Sequence, residues 1–234
     1  MKLPVADGLF ITGTDTDVGK TFFTAGLASL LRARRVDVGV YKPVATGGMP
    51  SEDARLLKEA SGSSDALDEI NPVCLPEPLS PNVAAHLANQ PIDLDLVLNV
   101  FKGLIAKHEF VLVEGIGGLL VPILNEFSVA DLAKEMGLPL VIVARSTLGT
   151  INHTLLTIEA AAARGLEVRG VVFNTLVPGP VGSATETSPV VIAEISGVPS
   201  LGTLPYCDLP SAHCSDSFPS FLERHLDLDR ILKN

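Results

Sequence analysis

Short runs of Val, Ile and Leu punctuate the chain, and most are followed by stretches in which apolar positions recur with a helical period. The runs predict strands at Leu9–Thr12, Val36–Tyr41, Phe110–Val113, Leu138–Val143, Gly170–Phe173 and Leu201–Leu204. The periodic stretches predict helices at Lys20–Arg34, Glu52–Ala60, Asp93–His108, Val129–Met136, Ile151–Arg164 and Pro189–Ile195. The strand segments are apolar throughout rather than at alternate positions, the pattern of a sheet covered on both faces. The helices between them are long enough to act as crossovers between parallel neighbours. Gly137-Leu-Pro139 and Gly197-Val-Pro199 each join a helix stop to a strand start. Pro76–Pro81 reads as a stiff connector, Pro178–Pro189 as a surface loop, and no repeat of fixed period appears. The expectation is one α/β domain over residues 1–234, doubly wound around a mostly parallel sheet.

Composition narrows the partners more than the fold. Of 234 residues, 47% are hydrophobic and only 19% charged, which excludes global disorder. The longest apolar stretches, Gly118–Leu124 and Leu138–Ala144, fall far short of the ~20 residues that a membrane-spanning helix needs. No basic segment followed by an apolar one is visible at the N-terminus, so no secretory signal is expected. Cys74, Cys207 and Cys214 cannot all pair and show no metal-ligand spacing, which fits free thiols in a reducing cytoplasm. A net charge of −10 with scattered Lys and Arg argues against nucleic acid as a partner, but a local cluster of donors can still hold a small anion.

The sharpest chemical signal is Gly13-Thr-Asp-Thr-Asp-Val-Gly19-Lys20-Thr21, placed after a strand and at the start of a helix. That is the context of a P-loop, in which backbone N–H groups and the helix dipole face phosphate oxygens. Lys20 can then reach the outer phosphates and the Thr21 hydroxyl can ligate Mg²⁺. The spacing departs from the strict pattern, because Thr14 stands where the first glycine belongs and Gly13 lies one position earlier. Glu114 ends a strand just before Gly115-Ile-Gly117-Gly118, at the carboxyl edge where open α/β sheets bind ligands; it either faces that crevice or caps a loop. Asp53 begins a helix after Gly47-Gly48, as a metal ligand or a helix cap. Lys42 ends a strand at the same edge, either solvated or aimed at charge developing in a transition state.

Taken together, the motifs resemble dethiobiotin synthetases. The resemblance is carried by Gly13–Thr21, by Tyr41-Lys-Pro-Val-Ala-Thr46-Gly47 and by Val113-Glu-Gly-Ile-Gly-Gly-Leu-Leu-Val-Pro122. Leu148-Gly-Thr-Ile-Asn-His153, Gly170-Val-Val-Phe-Asn174 and Gly202-Thr-Leu-Pro205 continue it in order, whereas 207–234 match only loosely. The resemblance implies a P-loop NTPase fold and a cytoplasmic homodimer with substrate sites at the subunit interface. It also implies ATP- and Mg²⁺-dependent closure of a cyclic urea from 7,8-diaminononanoate and CO2, through a carbamate and its mixed anhydride with phosphate.

Residue by residue, it implies that Asp15, Thr16, Asp17, Val18, Gly19, Lys20 and Thr21 surround the nucleotide phosphates, with Gly115 and Gly117 nearby. Thr21, Asp53 and Glu114 would hold Mg²⁺, and Lys42 would be catalytic alongside Lys20. Thr16 and Thr46 would meet the diamine. Asn174, Pro205 and Tyr206 would contact adenine. Leu148, Gly149 and Asn152 would receive the substrate carboxylate across the dimer, with Arg145 either a cation for that loop or a structural ion pair.

Two other readings compete. A P-loop ATPase switch of the partitioning or septum-positioning kind usually carries a second lysine early in the loop, and here Lys20 is the only lysine between Gly8 and Thr21. The apolar positions of Ser220–Asn234 fit a docked terminal helix better than a membrane anchor. An amidotransferase-type synthetase would need a glutaminase domain, for which the chain after Pro205 has no room.

Overall fold

The structure is a computed structural model that describes residues 8–179, 182–207 and 217–232. The readings of the N-terminal segment, of residues 180–181, of Cys214 and of the last two residues lie outside these. The chain opens with β1 (Gly8–Gly13), α1 (Lys20–Ala33), β2 (Val38–Tyr41), β3 (Val44–Thr46) and α2 (Glu52–Ser61). It continues through α3 (Leu67–Ile70), β4 (Val73–Leu75), α4 (Pro81–Leu87), α5 (Leu94–Lys107) and β5 (Phe110–Gly118). The hairpin β6 (Pro122–Leu124) and β7 (Phe127–Ser128) leads to α6 (Val129–Met136), β8 (Leu140–Arg145), α7 (Thr150–Ala162) and β9 (Val168–Asn174). Helix α8 (Ser183–Ser196), β10 (Ser200–Leu204), α9 (Ser217–His225) and α10 (Leu228–Leu232) complete it.

Six of these strands form one all-parallel sheet in the order β10-β9-β8-β1-β5-β2. All six are the strands the apolar runs predict. Every residue of β1 is buried, so its alternate side chains feed two cores. Leu9 and Ile11 pack with α1, α2, α9 and α10 on one face, through Phe23, Leu27, Leu57, Phe218 and Ile231. Phe10 packs on the other with α5 and α6, through Val97, Phe101 and Leu132. The chain leaves β1 toward β2 on one side and returns from β5 to β8 on the other. The carboxyl end of β1 is therefore flanked by β5 and β8, where a doubly wound sheet opens a crevice.

Three expectations need correction. The segment 178–189 is not a loop throughout: α8 begins at Ser183 and carries Pro189 inside it. Its Ser, Thr and Pro content reads as a breaker, but burial of Ile192 against the β8–β9 face and packing on α7 outweigh that local preference. Strand β5 runs on to Gly118 rather than stopping at Val113, with a register irregularity opposite Ile11 and Gly13 that bends the strand as it reaches the crevice. The β3–β4 pair, the β6–β7 hairpin and the short α3 and α4 are too brief for periodicity to reveal. Pro81 is not the end of a connector but the first residue of α4, where its missing N–H is harmless.

The tail is docked, as its apolar positions predict. Helix α9 lies on α1 at Gly26, where an added Cβ would come within 2.8 Å of both Phe218 and Leu222. Truncating Phe218, which is fully buried against this helix pair, is expected to cost about 3–5 kcal/mol of stability as Phe218→Ala. Urea unfolding of the variant checks this, and an undiminished midpoint would mean that α9 does not close the core.

Candidate active site

The loop from β1 into α1 is shaped by close backbone approach. A Cβ on Gly13 would meet the Asp15 carbonyl at 2.8 Å and Lys20 Nζ at 3.1 Å. Gly13 thus occupies the tight position that the strict motif gives to its first glycine, and Thr14 does not. Gly19 adopts φ +92°, and a Cβ there would fall 2.0 Å from Asn174 Nδ2. Asp17 also has positive φ, +56°, so the loop turns through two left-handed positions, a backbone shape that can cradle an anion. Lys20 is buried and donates to the Asp15 carbonyl at 3.0 Å. Burial, and then the neighbouring Lys42 ammonium, lower its pKa to about 8.

Four residues from three elements and one strand end meet beside this loop. Lys42, only 3% exposed, donates to Glu114 Oε1 at 2.6 Å and pairs with Asp53 Oδ2 at 2.8 Å. The Thr21 hydroxyl lies 2.8 Å from Glu114 Oε1 and 3.0 Å from Asp53 Oδ1. Having one proton, it donates to one carboxylate at a time. Burial alone would push Lys42 toward neutrality, but the charges of Glu114 and Asp53 outweigh it and hold the ammonium pKa above its ordinary value. Burial would likewise raise Asp53, yet the Lys42 charge and hydrogen bond bring it below the usual carboxylate range.

The alternatives left open by the sequence separate here. Ser51, not Asp53, caps α2, accepting from Ala54 N at 3.2 Å, so the Asp53 carboxylate is free for Thr21 and Lys42. Glu114 is completely buried and caps no loop. Lys42 is not a solvated strand end. Its backbone N–H donates to the Ile70 carbonyl at 2.8 Å, and its carbonyl accepts from Asn71 Nδ2 at 2.6 Å. Asn71 carried no motif, so sequence reasoning missed this anchor.

The residues fit a divalent cation. Thr21, Asp53 and Glu114 offer hard oxygen donors at the helix start, and Glu114 Oε2 is buried with no hydrogen-bond partner among the described residues. Two carboxylates and a hydroxyl leave room for phosphate oxygens and water, which suits Mg²⁺ rather than a metal that demands an all-protein cage. Thr21 and Asp53 open onto a cleft of about 760 Å³ that Thr16, Lys20, Lys42, Thr46 and Gly117 also help to line, with Glu114 buried behind them.

Asn174 lies at the end of β9, where its Nδ2 donates to the Val18 carbonyl at 3.1 Å under the loop. Its register partner Leu204 places Pro205 and Tyr206 just beyond the same edge. Gly115 sits behind the cluster, its carbonyl 3.3 Å from Lys42 Nζ. Arg145 makes an ion pair with Asp15 at 2.5 Å. Leu148, Gly149 and Asn152 stand apart from the rest. They mark the start of α7, Leu148 is 93% exposed, and none of the three lines the cleft.

Comparison with known proteins places this geometry in a family. Residues 7–213 match the family described as an AAA domain, AAA_26. The chain is 44% identical over 232 residues to the ATP-dependent dethiobiotin synthetase BioD of Bacillus licheniformis, covering 96% of this chain and 95% of that one. It is 39% identical to the protein of that name from Nitrosopumilus maritimus, over 96% and 99%. Among solved structures, the septum site-determining protein MinD of Pyrococcus horikoshii, complexed with Mg-ADP, aligns with a TM-score of 0.55 at 16% identity. That alignment covers 93% of this chain and 95% of that one. The signal recognition particle receptor FtsY of Elizabethkingia anophelis aligns at 0.57 and 14%, covering 95% of this chain and 65% of that one. Likeness at such identity shows the shared P-loop fold alone. With 39–44% identity extending over nearly the whole of both chains, the chain belongs to the ATP-dependent dethiobiotin synthetase family.

Proposed function

We propose that this chain closes the ureido ring of dethiobiotin, joining 7,8-diaminononanoate and CO2 at the expense of ATP in biotin biosynthesis. The observation that carries the reading is the convergence of Lys42, Asp53, Glu114 and Thr21 at the head of a phosphate loop, in a chain of this family. Mg²⁺, when bound, supplies neutralising charge across the outer phosphates. Thr21, Asp53 and Glu114 would hold it. Lys20 would leave the Asp15 carbonyl for the phosphates, while the loop amides take the remaining oxygens.

Lys42 acts as a fixed cation. With its pKa raised, it keeps its proton at Nζ and is no base; it faces the negative charge that builds on a carbamate and on a phosphoryl group in transfer. Thr16 and Thr46 line the same cleft and offer hydroxyls to the diamine end, so that one amine is held as carbamate and its neighbour is poised to attack. Asn174, with Pro205 and Tyr206, takes the adenine. The exposed Leu148, Gly149 and Asn152 serve the substrate carboxylate in the cleft of a second copy, making the enzyme a homodimer. Exposure of Leu120 and Leu156 beside that helix supports this. The free thiols of Cys74 and Cys207 support a cytoplasmic place, and no helix among the described residues is long and apolar enough to cross a membrane.

Phosphate release from ATP, Mg²⁺ and bicarbonate is expected to depend on 7,8-diaminononanoate, and mass spectrometry of the product should show a carbonyl added across the two amines. Hydrolysis indifferent to the diamine would overturn the ligase and favour an ATPase switch.

Lys42→Met keeps the side-chain length and removes the charge. It is expected to lower turnover at least about a hundredfold while leaving ATP affinity within roughly tenfold. The buried Glu114 also loses its cation and keeps only the Thr21 hydroxyl, so the nucleotide-free variant should unfold with about 3–5 kcal/mol less stability. Near-normal turnover would remove Lys42 from the chemistry.

Lys20 gives a pH signature. With a pKa near 8 in the free protein, its ammonium is lost as pH rises through that value, and phosphate binding must restore the proton. ATP affinity should be level near pH 7.5 and fall by up to about tenfold per unit above pH 8, with proton uptake on binding. For folding the sign is opposite: burial penalises the charged form, so stability rises as pH climbs from about 8 toward the unfolded value of 10.5. Calorimetric titrations in buffers of different ionisation enthalpy measure the uptake. A flat affinity from pH 7.5 to 9.5 would show that Lys20 is not the titrating group.

A further inference from the structure

The phosphate loop carries two acids, Asp15 and Asp17, in a segment whose proposed occupant is a polyanion. Asp17 lines the main cleft, and Asp15 does not. The Asp15 carboxylate is held from the neighbouring strand instead, where Arg145 Nη2 donates to its Oδ2 at 2.5 Å. Its other oxygen accepts from Thr16 N at 2.8 Å, and its carbonyl accepts from Lys20 Nζ at 3.0 Å. Arg145 ends β8 in register with Asn174, whose Nδ2 holds the Val18 carbonyl. Two neighbouring strands therefore grip the loop near its two ends, with Arg145 at the acidic one. Arg145 Nε is buried without a partner among the described residues, a cost that stabilisation of the fold does not explain.

We propose that Arg145 is a positioning residue for nucleotide binding: through Asp15 it fixes the first turn of the phosphate loop and offsets the carboxylate that would otherwise repel the phosphates. This rests on the reading that the loop holds ATP. Arg145 touches Asp15 and not the cleft, so its effect falls on affinity rather than on the chemical step. The pair is partly exposed, 34% for Arg145 and 51% for Asp15, and such pairs contribute little to folding stability. A merely structural role would therefore leave nucleotide affinity unchanged, whereas a positioning role lowers it.

Isothermal titration of Mg²⁺ with a non-hydrolysable ATP analogue, on the full chain, separates these. Arg145→Met is expected to weaken binding about five- to thirtyfold, with turnover at saturating ATP within about twofold and a melting temperature close to wild type. Arg145→Lys, which keeps the charge with a shorter reach, should recover part of the loss. In a double-mutant cycle, adding Arg145→Met to Asp15→Asn should cost nothing further, because the repelling carboxylate is already gone. Affinity of Arg145→Met within twofold of wild type, multiplicative effects in the double variant, or a loss of turnover without loss of affinity would each overturn the inference. A wild-type chain that binds no nucleotide would overturn the ATP reading itself, and this inference with it.

Discussion

Lys42 is almost wholly buried at the wall of the cleft, and an ammonium ion taken largely out of water is unfavourable by several kcal/mol unless opposite charge surrounds it. Glu114 and Asp53 provide that charge, and Glu114, itself fully buried, poses the same problem in reverse: a buried carboxylate needs a cation or a donor, whereas the Asp53 side chain is 42% exposed. Lys42 and Glu114 are tolerable only together, with Asp53 adding charge from the cleft side and Thr21 supplying one further hydroxyl. This mutual dependence dictates much of the surrounding architecture. Lys42 must arrive from β2, Glu114 from β5, Thr21 from α1 and Asp53 from α2, and the parallel order β1-β5-β2 brings all four to one carboxyl edge. The cap on α2 has to be Ser51 so that Asp53 stays free, and Asn71 has to fix the Lys42 carbonyl so that its side chain does not wander.

On the other side of the phosphate loop, the constraint is shape rather than charge. Gly13 and Gly19 are the points where loop backbone passes too near Lys20 and Asn174 to admit a side chain. The loop is therefore a seat gripped by the ends of β8 and β9 and backed by a helix packed on α2 and α9, with the Lys20 side chain folded onto the Asp15 carbonyl. A seat shaped by close backbone approach suits a reaction in which positioning supplies most of the catalysis.

The large elements were readable because each has a strong local signal. Six continuous apolar runs became the six strands, and Val129–Met136 became a helix with those bounds. What was not readable depended on neighbours. Helix α8 contradicts its own composition because Ile192 gains burial in a core that residues far away create. The choice between cap and ligand for Asp53 turned on Ser51, two residues earlier, and on Lys42 across the crevice. Asn71 has no motif, since its contribution is a single hydrogen bond to a backbone carbonyl. Arg145 had two readings from sequence, and its partner proved to be an acid 130 positions away.

The position of β1 at the centre of the sheet also sets the order in which the molecule can be assembled. Strand β1 has as its neighbours β5 and β8, which begin only at Phe110 and Leu140, and the α1 that follows it is covered by α9. No early portion of the chain can bury Leu9, Phe10 and Ile11 on its own. Folding must wait for non-local pairing, the slow and entropically demanding kind. The phosphate seat at the end of β1 is therefore complete only when β5, β8 and β9 are in place beside it.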